Sequence, residues 1–416
     1  MQREECISEM LERHTMKART PRSPAPKRVR VVQVMWRLSR GGGVPIVVRH
    51  ISDRLDPTVF DLHIVTLRPA LVDDGLDELP PHVAVHTLGY RGRITLTRRL
   101  LALARVALTV RRLSPHIVQS HTGTAWLTVL ARVLNPRAKF LLEVHDAPGR
   151  GRHGAATERF EGWLTRRARY TALCHSRSVR ADVTAAWRTP EGRLELFPLG
   201  INTDEFGTDA YATSPERAEW CRRHRLPDHR PIVLYVARLV ASKNVGMLIE
   251  VADRVSAATV DGAKPLFVVA AEGSMRAVLE ADIDRRGLAD TVRLIGALYG
   301  NDLVGAYHAA IAFCSTSDYE GFGLAIVEAM ASGLPVVATA VGGVTDLVVD
   351  EETGALVRQG DAEAMAREVL AMLADPARSN QLGESGRTRA LARFDARRMV
   401  EDFATLYLRL AGRADR

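Results

Sequence analysis

Short runs rich in Val, Ile and Leu recur along the chain, each followed by a longer segment whose apolar positions return at helical spacing. In the first half the runs are "RVVQVMW", "DLHIVTL", "VAVHTL", "HIVQSH", "KFLLEV" and "YTALC", with "LELFPL" closing the series at 194–199. Such alternation predicts parallel strands joined by crossover helices. The pattern restarts at "PIVLYVA" (231–237) and continues through "PLFVVAA", "TVRLIG", "AIAFCST", "LPVVAT" and "GALVR"; from about Asp361 to the end it is helical in period. Two successive α/β sheets are therefore expected, joined near "GINTDEFGTDAYATSPE", alike in architecture without shared sequence. Doubly wound sheets bind ligands outside the carboxyl ends of their strands.

The chain has 416 residues, 46% of them hydrophobic, enough for two domains. Every long apolar stretch is broken by charge well short of the ~20 residues a membrane-spanning helix needs. The opening 27 residues carry charge and prolines but lack the apolar stretch of a secretory signal, so they read as a disordered basic leader, with Met16 as an alternative start to Met1. Cys6, Cys174, Cys221 and Cys314 follow no metal or redox spacing, which suits free thiols in a reducing cytoplasm. Positions 1–200 hold 33 basic and 18 acidic residues, a balance of +15; positions 201–416 hold 24 and 31, a balance of −7. A basic first half suits an anionic partner, although only five of the 57 basic residues are lysine, which also fits a general arginine bias.

Candidate chemistry falls just after the predicted strands. "AIAFCSTS" leads into Asp318, Glu320 and Gly321, and a helix is expected to begin near Phe322 and to stop at Gly333, placing Glu320 at its N-terminus and Glu328 in its second turn. A helix N-terminus attracts phosphate or sugar oxygens, Gly321 and Gly323 let a ligand approach the backbone, and carboxylates accept from vicinal hydroxyls. "PIVLYVAR" runs into "LVASKN", setting Arg238 and Lys243 five positions apart, where two cations can neutralise a diphosphate leaving group as Mg²⁺ often does. "VVQVMW" is followed by Gly41, Gly42 and Gly43, then Val44 and Pro45, a glycine loop opening a helix that can cradle an anion. It is not G-x-G-x-x-G, and the second predicted strand ends in Arg68 rather than an acid, which disfavours a dinucleotide cofactor. His145 ends "KFLLEV" and His121 ends "HIVQS"; either could hydrogen-bond a sugar hydroxyl or relay a proton. No HExxH, cysteine cluster or G-x-S-x-G is present, and the D-x-D at 282–284 falls mid-helix, on a solvated face.

Taken together, the E-x7-E of Glu320 and Glu328, Arg238 with Lys243, the glycine loop at 41–43 and His145 resemble the retaining glycosyltransferases of family 4 over roughly residues 28–410. "ARLVASKNVGMLIE" and "DYEGFGLAIVEAMASGLPVVATAVGG" carry the specific part of that resemblance. It implies the α/β GT-B fold, two facing Rossmann-like doubly wound parallel-sheet domains with a cleft between them. The implied division is an acceptor-binding domain at 28–205, a nucleotide-sugar-binding domain at 206–395, and a C-terminal helix at 396–416 packing back on the first domain. The implied co-substrate is a nucleotide-diphospho-sugar, UDP or GDP, with no cofactor and no metal. The resemblance assigns Arg238 and Lys243 to the diphosphate and Glu328 to the ribose hydroxyls. Glu320 and the backbone of Gly321, Phe322, Gly323 and Leu324 are assigned to the sugar, and His145 to a sugar hydroxyl. His121 is secondary, and Gly41, Gly42 and Gly43 meet the phosphates on closure. Retention would follow from front-face attack, the leaving diphosphate taking the acceptor's proton.

The chain departs from the family where members often have Glu for Asp346 and Asp for Asn202, which weakens inference about sugar and acceptor. The acceptor is expected to be a glycan, a lipid-linked molecule or a small molecule, anionic if the basic half is its partner. The arginine-rich apolar segment 91–113 could lie on a bilayer, giving a cytoplasmic protein with a peripheral place at the inner face of the membrane; a helix packed on its own sheet is the plainer alternative. Competing readings are a nucleotide-sugar epimerase of the same fold and a silent nucleotide-sugar-binding module. Nucleic acid is not expected, because no aromatic interleaving or known motif accompanies the charge.

Overall fold

The computed structural model describes residues 28–39, 42–69, 79–91, 95–150, 154–207, 215–259 and 264–413. The leader, Met16, Cys6, Gly41 and part of the linker between the halves lie outside these residues.

The first half builds β1 (Val29–Met35), α1 (Gly43–Arg54), β2 (Phe60–Thr66), β3 (Ala84–Thr87) and α2 (Leu96–Leu113). It continues with β4 (Ile117–His121), α3 (Val129–Leu134), β5 (Lys139–Val144), α4 (Ala155–Arg166), β6 (Tyr170–Cys174), α5 (Arg177–Trp187) and β7 (Leu194–Leu196). The second half follows as α6 (Pro215–Arg223), β8 (Ile232–Arg238), α7 (Val245–Ala258), β9 (Leu266–Glu272), α8 (Arg276–Arg285), β10 (Val292–Leu294) and α9 (Gly300–Ala309). Then come β11 (Ala312–Ser315), α10 (Leu324–Ala331), β12 (Val336–Thr339), α11 (Val344–Leu347), β13 (Ala355–Val357), α12 (Ala362–Ala374), α13 (Pro376–Arg393) and α14 (Ala396–Leu410).

The strands form two all-parallel sheets, in the orders β3-β2-β1-β4-β5-β6-β7 and β10-β9-β8-β11-β12-β13. Both orders reverse direction once, between β1 and β4 in the first sheet and between β8 and β11 in the second. A crevice opens at each reversal because the flanking crossovers leave to opposite sides. The central strands are buried on both faces, as a sheet covered by helices on both sides requires, and β4 and β5 carry Gln119, His121 and Glu143 into that interior.

One continuous core joins the two halves. It includes Val31, Phe60 and Phe197 of the first, Phe313 and Val336 of the second, and Met399, Phe403 and Tyr407 of α14. The helix crosses back to pack on α1 and β1, and Phe403 lies against Phe197 with ring centroids 4.2 Å apart.

Candidate active site

All four strand ends at the two reversals carry candidate residues. β1 runs into the glycine loop and β4 ends at His121; β8 ends at Arg238 and β11 opens the segment that holds Glu320.

In the second domain, hydrogen bonds stitch the loop at 241–244 to the loop after β11. Asn244 Nδ2 donates to Asp318 Oδ1 at 3.0 Å, Thr316 Oγ1 to the Asn244 carbonyl at 2.9 Å, and Asp318 N to the Ser242 carbonyl at 2.9 Å. This stitching brings Lys243 Nζ onto Glu320 Oε1 as a largely buried ion pair, to which Ser317 adds a hydroxyl at 3.0 Å. Arg238 stands exposed at the end of β8. Glu328 is buried on α10 and accepts from the Tyr307 hydroxyl at 2.7 Å. Burial pushes its carboxyl up to about 7, with the Tyr307 hydrogen bond opposing and Glu205 adding to the rise.

The helix expected to begin near Phe322 begins at Leu324 instead. Glu320 therefore lies in the preceding loop, four residues before the first turn. Gly323 caps the helix at φ 108°, a conformation that a residue with a side chain rarely adopts. Before it, Gly321 is pressed against the first domain, and a side chain there would overlap the carbonyl oxygen of His145. The Tyr319 hydroxyl accepts from Ala147 N at 2.5 Å, closing the same contact from the other side. The two domains thus touch through Tyr319 and Gly321 on one side and His145 and Ala147 on the other.

The glycine loop faces this seam. Gly42 caps α1 at φ 99° with no side-chain cap, leaving the amides of that turn available to an anion, and a side chain at Gly43 would meet Leu324 of the other domain. The two departures from the family pattern also have places. Asp346 accepts from Arg177 N at 2.6 Å across the domains, and Asn202 donates to Glu205 at 2.6 Å in the crossover.

In the first domain, His121 and His145, both candidates from the sequence, meet two residues that sequence reasoning missed, Glu143 and His175. His121 and Glu143 are register partners on β4 and β5, His145 follows two positions later, and His175 stands just past the end of β6. Glu143 Oε2 is 3.3 Å from His121 Nδ1, 3.4 Å from His145 Nε2 and 3.7 Å from His175 Nε2. Burial tends to raise the Glu143 carboxyl, but the His121 ring, with His145 and His175, reverses this and holds it at about 2. Burial, with His175 beside it, holds His145 well below the ordinary imidazole range against the pull of Glu143. Among the described residues, His121, Glu143 and His145 are the group whose ligand atoms converge closely enough to hold a metal ion. The signal was an acid inside an apolar strand, in "FLLEVHD", two positions before a histidine and so on the same face.

Known proteins are similar to this chain in architecture and in part of its sequence. A model described as "Glycosyltransferase Family 4" matches residues 41–205, and one described as "Glycosyl transferases group 1" matches 216–389. Alpha-D-kanosaminyltransferase of Streptomyces kanamyceticus is 33% identical over 304 residues, 71% of this chain and 76% of that one. A GDP-mannose-dependent alpha-(1-6)-phosphatidylinositol monomannoside mannosyltransferase of Mycolicibacterium smegmatis is 33% identical over 223 residues, 52% of this chain. That match spans little more than half of the relative's length, 56%. Among solved structures, sucrose-phosphate synthase of Thermosynechococcus elongatus superposes with a TM-score of 0.77 at 23% identity, over 92% of this chain and 100% of the other. HepE of Anabaena in complex with UDP-glucose superposes with a TM-score of 0.75 at 18% identity, over 91% and 98%. The fold is GT-B, two parallel-sheet domains across a cleft, and the chain belongs to family 4 of the glycosyltransferases.

Proposed function

We propose that the chain transfers a hexosyl-type sugar, with retention, from a nucleotide-diphospho-sugar to a glycan, lipid-linked or small-molecule acceptor. The observation that carries this reading is the buried Lys243–Glu320 pair at the reversal between β8 and β11, with Arg238 at the end of β8 and the Gly42–Gly43 loop after β1 at the reversal of the other sheet. Arg238 and Lys243 neutralise the diphosphate as negative charge develops on it, so no metal is needed there. Lys243 is held by Glu320 until the donor arrives; on binding, the phosphate takes the ammonium and Glu320 turns to the sugar hydroxyls. Glu328 receives the ribose hydroxyls in place of Tyr307. His145 offers Nδ1 to the sugar, since its Nε2 is turned inward, 3.0 Å from His121 Nδ1. A nucleophile from the protein is not required, because the acceptor attacks on the face the diphosphate leaves and passes its proton to that diphosphate.

The donor base is uridine or guanosine: HepE was solved with UDP-glucose, and the mycolicibacterial relative is GDP-mannose-dependent. No described helix is long and apolar enough to cross a membrane. α2 nevertheless turns Leu96, Leu100, Leu101 and Leu108 to solvent, 51–73% exposed, beside exposed Arg98, Arg99, Arg105 and Arg112. Such a face suits an anionic bilayer surface, and with it a lipid-linked acceptor reached from the inner side of the membrane.

The test is release of nucleotide diphosphate from a panel of UDP-, GDP- and ADP-sugars, with Mg²⁺ added or withheld, for the wild type and Lys243→Ala. Slow release from one donor, unchanged by Mg²⁺ and lost in the variant, is the expected outcome. A new nucleotide-sugar without release would mean an epimerase, and failure of every donor to bind would overturn the reading.

A further inference from the structure

The histidine cluster under the cleft has an arrangement that hydrogen bonding alone leaves unresolved. The His175 Nδ1 lies 2.9 Å from the Phe197 carbonyl, which can only accept, so Nδ1 carries the hydrogen and the neutral ring turns a bare Nε2 lone pair inward. That Nε2 is buried without a partner and faces Glu143 Oε2, which is itself buried and without a hydrogen-bond partner. His121 Nδ1 and His145 Nε2 lie 3.0 Å apart, room for one hydrogen between them, and both also face that oxygen. Several lone pairs therefore converge on one buried point. Glu143 is fully buried, and its other oxygen accepts from Gln119 Nε2, a neutral donor.

We propose that His121 Nδ1, Glu143 Oε2 and His145 Nε2 form a site for a divalent transition metal of the Zn²⁺ class, with His175 Nε2 the nearest candidate for the fourth position. The edges of the ligand triangle are 3.0, 3.3 and 3.4 Å. Tetrahedral Zn²⁺ with bonds of about 2.0–2.1 Å to nitrogen and oxygen has ligand–ligand edges of about 3.3–3.4 Å, so an ion fits with little movement. Imidazoles and one carboxylate select Zn²⁺, Co²⁺ or Ni²⁺ over Mg²⁺ or Ca²⁺. The outer partners are those expected around metal ligands: Gln119 holds Glu143, the Tyr407 hydroxyl holds Gln119 Oε1 at 2.6 Å, and the Phe197 carbonyl fixes the His175 ring. The sequence led to an expectation of no metal; this site departs from it at a place remote in role from the diphosphate, where Arg238 and Lys243 serve. A bound ion would lock His145 in the orientation that presents Nδ1 to the cleft.

The full chain, produced without a polyhistidine tag, is stripped with a chelator and titrated with Co²⁺ alone. The expected result is uptake of one equivalent with visible d–d absorption and a rise in Tm. Glu143→Gln and His121→Asn should each weaken uptake by more than the ~10–100-fold that loss of an outer partner costs. Absence of both the absorption and the Tm rise in the wild type overturns the proposal, and so does uptake that is equal in folded variants. If a variant does not fold, the wild-type titration still decides. Neither readout involves donor or acceptor, so this inference and the transferase reading fail separately.

Discussion

At the residue scale, Lys243 and Glu320 are the pair on which the proposed chemistry turns. The Lys243 charge acts on the leaving diphosphate, where a preorganised donor contributes most in the transition state, so Lys243→Ala should lower turnover by about 10²–10³. A donor-consumption assay showing wild-type rates would remove that role. Glu328 makes a prediction in pH. Its folded value of about 7 lies above the ordinary 4.5, so the folded protein holds an extra proton between the two, and stability falls as pH rises through that window. Binding of ribose hydroxyls favours the ionised form, so affinity for intact donor should rise with pH through about 7, with a proton released. Glu328→Gln should flatten both profiles. Calorimetric titration with the intact nucleotide-sugar checks this, because a free nucleotide diphosphate has a phosphate that titrates in the same range.

Two elements decide how the cleft closes and what it faces. The loop at 319–323 reaches across to 145–147, and Gly321→Ala would set a methyl against the His145 carbonyl. That variant should lose activity and Tm together because neither backbone can yield alone. Tyr319→Phe, which removes only the acceptor for Ala147 N, should cost about 1–3 kcal/mol, measurable by denaturant unfolding. α10 begins two residues later than the expected Phe322 because Gly323 turns at φ 108° before it and Gly321 is held in the loop by the His145 carbonyl of the other domain, a contact that a local pattern does not record. The outward leucines of α2 belong to this scale too. Co-sedimentation with anionic liposomes at low salt should be abolished by Leu100→Glu with Leu101→Glu and weakened by salt in the wild type; no sedimentation of the wild type would count against a membrane role.

For the whole molecule, the shared core and α14 bind the two sheets into one unit. Phe403, fully buried between Phe197 and Tyr407, should cost about 3–5 kcal/mol when truncated to Ala. Because its core is continuous across both halves, the loss should lower one transition common to the chain. A scanning calorimeter that resolved two independent transitions would show that α14 does not couple them.

The sequence by itself determined where strands and helices fall, since burial on a face leaves a period that a local window can read. It also placed Arg238 at a strand end and Lys243, Glu320 and His145 after strand ends, because each lies within a few residues of an apolar run. Strand order was decided only in the tertiary structure, and with it the fact that these ends meet at two reversals. So were the Lys243–Glu320 pair, the hold of Tyr307 on Glu328, and the cluster joining Glu143 to three histidines and, through Gln119, to Tyr407 of α14. Those contacts span up to 288 positions, and their partners are selected by packing between sheets and domains rather than by anything a neighbouring residue encodes.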